Sequence, residues 1–109
     1  MSAALYGVYL ARFRFIESGA YKPRPVVIVS QPRGEHKIVL AIPLSANMAK
    51  EDVDVSLEGW KSVGLIKPTI ARVHRLTALL SSNVLEFFGQ LEQQDISSIK
   101  KSLQETLQL

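Results

Sequence analysis

Four side chains in this sequence have the type and placing to do chemistry together: Arg24, Ser45, Arg72 and His74. Arg24 lies between two prolines in Lys22-Pro-Arg-Pro. Proline fixes its own backbone and restricts the residue before it, so a guanidinium here can meet an anion with little left to order. The same stiffness also suits a solvated arginine in a proline turn. Ser45 follows Pro43-Leu44 at the end of an apolar run. A hydroxyl there either lies at a ligand-binding rim or starts a turn by bonding its own backbone. Arg72 and His74 are two residues apart, which puts them on one face of a strand. They either face solvent as two ordinary polar groups or set a fixed cation beside a side chain that titrates near neutrality. The second arrangement suits RNA cleavage, in which a ribose 2′-hydroxyl attacks its neighbouring phosphorus. That reaction needs a base at the 2′-oxygen, an acid at the leaving 5′-oxygen and cations on the phosphorus oxygens. It calls for no metal and no cofactor.

The composition closes off other chemistries. With no cysteine, disulfide scaffolds, thiolate zinc sites and cysteine nucleophiles are excluded, and two histidines (His36 and His74) cannot make a three-histidine metal site. No glycine-rich phosphate loop, serine nucleophile elbow or His-Glu-x-x-His is present. The 109 residues, 47% apolar and 21% charged, suit a single globular domain over 1–109. No apolar run is long enough to span a bilayer and no secretory leader is visible, so the expected compartment is the cytoplasm. The net charge of +3 is unevenly spread. Residues 1–50 carry seven basic side chains (Arg12, Arg14, Lys22, Arg24, Arg33, Lys37, Lys50) against Glu17 and Glu35, whereas residues 51–109 are net acidic. A basic front half fits an anionic partner, or simply a soluble surface.

The elements that must position these residues are mostly strands. Leu5–Phe15 is rich in aromatic and branched residues, with Arg12 and Arg14 marking a wet face. Glu17–Pro25 reads as a loop, because Gly19 and two prolines interrupt a ladder. Val26–Ser30 and Lys37–Leu44 are apolar runs expected to be buried on both faces and joined as a hairpin across Gln31–Glu35. Asp52–Leu57 and Thr69–His74 alternate, and Asn83–Leu91 contains another strand. Ile96, Ile99, Leu103 and Leu107 then recur at helical spacing, with Asp95 in the first turn. Five to seven short strands followed by one helix make a mainly β, α+β fold: a small barrel or strongly bent sheet with an amphipathic C-terminal helix. Trp60 reads as a core or dimer anchor, His36 as a surface turn residue, and Tyr21 as a platform on which a base could stack.

Taken in order, four segments resemble the PemK/MazF family of toxin endoribonucleases. They are Val8-Tyr-Leu-Ala-Arg-Phe, Lys22-Pro-Arg-Pro-Val-Val-Ile-Val-Ser, Ile38-Val-Leu-Ala-Ile-Pro-Leu-Ser, and the stretch from Trp60 through Gly64-Leu-Ile-Lys-Pro-Thr-Ile-Ala-Arg to Leu76. Gly89-Gln-Leu-Glu and the terminal helix are similar as well. The resemblance implies an SH3-like barrel with a C-terminal helix, a homodimer whose cleft takes single-stranded RNA, and a cognate antitoxin that competes for that cleft. It implies that Arg24 holds the scissile phosphate and Ser45 supports it. Arg72 falls on an arginine proposed as general acid, and His74 on a position where some members have an aspartate base. Tyr21, Lys22, Arg24 and Arg33 would form the RNA-binding surface. The chain departs from the family at Tyr6-Gly7, Ala46 and His74. Those departures admit an alternative, a PemK-like fold that binds RNA or a peptide with little or no cleavage.

Overall fold

The computed structural model describes residues 4–48 and 51–109. Seven antiparallel strands precede one helix: β1 (Gly7–Arg14), β2 (Tyr21–Ile28), β3 (Ile38–Ser45), β4 (Val55–Ser56), β5 (Ile70–Ala71), β6 (Thr77–Leu80), β7 (Val84–Gln90) and α1 (Gln93–Leu107). The sheet runs β4-β5-β3-β2-β1-β7, and β6 also pairs with β3. This is the expected α+β class with its C-terminal helix, but the sheet does not close into a barrel. β4 is only two residues long. Val63, in the turns after it, lies against Gly89 near the end of β7, where a Cβ on that glycine would come within 3.2 Å of the Val63 backbone.

Val26–Ile28 of β2 and Val39 and Ala41–Leu44 of β3 are buried, but Ile38 and Leu40, expected inside, are 40% and 41% exposed, so one face of β3 is open at its Ile38 end. Val27, Ile42 and Leu44 join Val8, Val63 and Ile99 in one cluster. Their neighbours Val26, Ile28, Val39 and Ala41 join Tyr9, Phe13 and Leu79 in another. Helix α1 contributes Ile99 to the first cluster, with Ile96 and Leu103 packed beside it, while Leu107 stays half exposed. Trp60 packs against the same cluster.

Three expectations change. First, Tyr21–Pro25 is strand and not loop, paired with β1 from Arg14↔Tyr21 to Leu10↔Pro25. β3 meets β2 only from Val26 onward, so the prolines lie on an edge segment where no outer partner needs their missing amide. Second, the Thr69–His74 alternation gives only the two-residue β5. The chain then turns into a 3-10 turn, Val73–Arg75, before β6. That turn lies at a corner, because β5 pairs with the Ser45 end of β3 and β6 with its Ile38 end. β6 had no expectation of its own. Third, Asp52–Leu57 contributes only Val55–Ser56 to the sheet.

Helix α1 ties down the long connection before β5. The buried Asp95 carboxylate accepts hydrogen bonds from the Glu58 and Gly59 amides, each at 2.9 Å. Glu92 lies over Gly59, where a Cβ would come 2.6 Å from Glu92 Cδ and push that exposed side chain aside. Two turns along, the Ser102 hydroxyl donates to the Val53 carbonyl. Replacing Asp95 strands two backbone donors. Asp95→Ala should therefore lower unfolding stability by about 2 kcal/mol, and Asp95→Asn, which keeps one acceptor, by less. Urea denaturation of the three proteins checks the order.

Candidate active site

The Ser45 end of β3, the edge segment of β2 and the corner after β5 surround a cavity of about 980 Å³. Its walls carry Arg24, Ser45 and Arg72, so three of the four residues singled out from the sequence meet in one place. Phe13, Phe15, Pro43 and Leu44 give it an apolar floor.

Each of the three is held differently. Arg24 is exposed on the β2 edge, with its guanidinium carbon 5.4 Å from the centre of the Phe15 ring and one nitrogen donating to the Pro23 carbonyl at 3.2 Å. No carboxylate pairs with it among the described residues. Ser45 Oγ accepts the Asn47 amide at 3.1 Å, the backbone-bonding turn role. Its own O–H remains directed to donate elsewhere, since a hydroxyl both accepts and donates. Arg72 is the most tightly fixed. Its backbone amide donates to the Pro43 carbonyl, one terminal nitrogen meets Asp54 Oδ2 at 2.9 Å, and the other donates to the Asn47 carbonyl at 2.8 Å. Asp54 is almost completely shielded from solvent, with 1% of its side chain exposed, and it also accepts the Glu51 amide.

His74 is separated from Arg72. The shared strand face ends with β5, and His74 lies exposed on the 3-10 turn outside the cavity. A 3-10 turn has three residues per turn, so the side chain that follows Arg72 on the same side is Arg75. Arg75 lines the cavity, as do Lys67, Glu17 and Glu51. None of these four was singled out from the sequence. The i, i+3 pair in Arg72-Val-His-Arg75 is the signal that a helical reading of this corner would have caught. Arg75 pairs with Glu17 from the β1–β2 connection. The Glu17 carboxyl is held below the ordinary glutamate range, first by its own backbone amide and then by Arg75.

The expected RNA-binding residues are dispersed. Tyr21 lines a separate cavity of about 530 Å³, with the Arg14 guanidinium carbon 6.0 Å from its ring centre. Lys22 is exposed on β2 and lines neither cavity. Arg33 bridges to Ile38, at the opposite end of β3 from Ser45. At the usual strand rise that is about 23 Å from the cavity rim.

The sequence pattern of the PemK-like, MazF-like toxins of type II toxin–antitoxin systems matches residues 6–107. The chain belongs to that family. No curated protein sequence matches the toxin closely enough to count as a relative. Solved structures carry the likeness in fold. MazF from Deinococcus radiodurans is 15% identical and superposes with a TM-score of 0.76, covering 100% of this chain and 99% of that one. The Mycobacterium tuberculosis toxin MazF-mt6 is 16% identical with a TM-score of 0.75, covering 94% and 97%. An endoribonuclease in complex with its cognate antitoxin, from a mycobacterial species, is 18% identical with a TM-score of 0.73, covering 98% and 97%. No helix among the toxin's described residues is long and apolar enough to cross a membrane.

The Arg72–Asp54 pair gives a direct test of this corner. Removing the cation alone leaves a buried carboxylate uncompensated, so Arg72→Ala should cost about 3 kcal/mol of stability. The double variant Asp54→Ala/Arg72→Ala should be more stable than Arg72→Ala. Denaturant unfolding of both variants decides it.

Proposed function

We propose that the toxin is an endoribonuclease that cleaves single-stranded RNA by attack of a ribose 2′-hydroxyl on the adjacent phosphorus. The observation that carries this reading is the convergence of Arg24, Ser45 and Arg72 on one cavity. In the reaction the 2′-oxygen loses its proton and bonds to phosphorus, the P–O5′ bond breaks, and the departing 5′-oxygen takes up a proton. The products are a 2′,3′-cyclic phosphate and a 5′-hydroxyl.

Arg24 is the group to clamp the scissile phosphate. It is exposed, stiffened by its prolines and stacked on Phe15, and no carboxylate among the described residues pairs with it. Ser45 donates its O–H to a second phosphate oxygen. Arg72 remains charged throughout, because guanidinium does not deprotonate in proteins. Its fixed position suits it to stabilise charge that builds on the phosphorus oxygens. His74, proposed from the sequence as the base, lies outside the cavity of a single chain, so this reading places the larger share of catalysis on the cations. Tyr21 and Lys22 continue along β2 from Arg24 and are proposed to extend the RNA contact, while Arg33 is too far along β3 to share this cavity.

The same reading includes a homodimer, an antitoxin that competes for the cavity, and action in the cytoplasm on mRNA. The exposed apolar side chains Ile38 and Leu40 on β3 and Leu80 on β6 support a contact with a second copy. A cavity with an apolar floor and basic walls supports capture of an acidic, amphipathic segment.

Purified toxin incubated with single-stranded RNA in EDTA should give fragments ending in 2′,3′-cyclic phosphate. Arg24→Ala should slow cleavage by about 10²–10³-fold, the usual effect of removing one anion-stabilising group. His74→Ala should stay within a few-fold of the parent. Intact RNA with the parent protein, or equal rates with and without Arg24, overturns the nuclease reading. Salt-sensitive RNA binding without cleavage would instead identify a binding module.

A further inference from the structure

Two arginines that line the cavity are paired with carboxylates of opposite character. Arg72–Asp54 is buried, and neither partner can be exchanged for a ligand without stranding a charge. Arg75–Glu17 is open to solvent, with 40% of the arginine and 54% of the glutamate side chain exposed. An exposed pair of this kind is weak and easily displaced. Arg72 and Arg75 bracket the 3-10 turn on its cavity side, with a rise of about 6 Å over three residues. That is the order of the spacing between successive phosphates along a single strand.

We infer that Arg75 is a second phosphate-binding residue of this site, for the backbone phosphate next to the scissile one, and that Glu17 occupies it in the free protein as a displaceable stand-in. The inference rests on the RNA reading and deepens it. Glu17 is well suited to the part. Its carboxylate offers a guanidinium the same paired oxygens that a phosphate does. It sits at the tip of the β1–β2 hairpin, which the Phe15–Ala20 and Gly19–Phe15 backbone bonds close, so its exposed side chain can swing away without disturbing the ladder. Its neighbour Ile16 is 82% exposed, so no core contact anchors the segment at that point. When RNA arrives, one carboxylate–guanidinium pair is exchanged for a phosphate–guanidinium pair, and Glu17 returns to water. The cost of that exchange makes Glu17 a threshold that the strand must overcome before the second phosphate is seated.

The test measures binding separately from cleavage, using a 2′-O-methyl RNA oligonucleotide of mixed sequence, which has no nucleophile. Fluorescence anisotropy at several salt concentrations gives both affinity and salt slope. Glu17→Gln should tighten binding about two- to fivefold, the range of an exposed ion pair. The salt slope should stay as in the parent, because the exchange seats the same phosphate on Arg75 in both proteins, whereas Arg75→Ala should flatten it by about 0.7, the loss of one phosphate contact on a single strand. The gain in affinity should vanish in Glu17→Gln/Arg75→Ala and survive in part in Glu17→Gln/Arg75→Lys. Glu51→Gln removes an equal charge from the same cavity while leaving the Arg75–Glu17 pair in place, and should give no comparable gain in affinity. Unchanged or weaker binding by Glu17→Gln overturns the inference. So does a gain that persists without Arg75, since it would reflect only the general field. If the parent cleaves RNA while Glu17→Gln binds no more tightly, this inference alone fails. If the parent neither binds the oligonucleotide nor cleaves RNA, the RNA reading fails with it.

Discussion

The working end of the molecule depends on one buried ion pair. Asp54 is a carboxylate almost wholly removed from water, and Arg72 is the cation that makes its burial tolerable. The pair continues the short β4–β5 ladder by one position, since Val55 pairs with Ala71, and so fixes the residue before β4 to the corner after β5. Through its second nitrogen Arg72 also holds the Asn47 carbonyl, and Asn47 in turn donates its amide to Ser45. Three sides of the cavity are thereby referred to one guanidinium. The helix reaches the same pair from behind, since Ser102 bonds the carbonyl of Val53, the residue before Asp54. An element with no side chain in the cavity therefore helps fix the cavity's most constrained cation.

What the sequence revealed follows from how local each signal is. Val26–Ile28 and Ala41–Leu44 were legible because a strand buried on both faces must be apolar at every position, whereas Ile38 and Leu40 carry the same apolar pattern onto a face that stays open. The terminal helix was legible because Ile96, Ile99 and Leu103 repeat at its own period. The prolines at 23 and 25 misled, because their compatibility with a strand depends on whether a partner lies outside it. That is a property of the sheet and not of the segment. Thr69–His74 misled for a related reason. Its alternation is genuine for Ile70 and Ala71, but β3 offers its one free edge to two strands in succession, and the chain must turn between them. That turn replaces His74 by Arg75 as the companion of Arg72. Ser45 is marked by the end of an apolar strand and Arg24 by its flanking prolines, although those prolines belong to a strand edge and not to the loop expected around Arg24.

The charge distribution gains meaning at the same level. A net charge of +3 says little, and the basic front half says only a little more. Within the cavity, the four cations come from both halves of the chain: Arg24 from the first, and Lys67, Arg72 and Arg75 from the second, which is net acidic overall. Two of the four are matched by carboxylates at different depths. Depth separates their roles. A buried match is a condition of folding, whereas an exposed match is an equilibrium that a stronger anion can shift.

This separation bears on how a family can keep one fold at 13–18% identity between this chain and its structural neighbours. Apolar periodicity tolerates exchange of one branched side chain for another, so the strands can diverge widely while their faces stay apolar. A buried charge makes unilateral change costly, so Asp54 and Arg72 are altered at least cost together. Residues such as Glu17 and Tyr21 are under neither restraint. They are exposed, sit near the cavities, and can change singly at little cost to stability. Residues in and beside the β1–β2 connection are therefore the freest to vary, while the cations of the cavity stay where the sheet and the helix hold them.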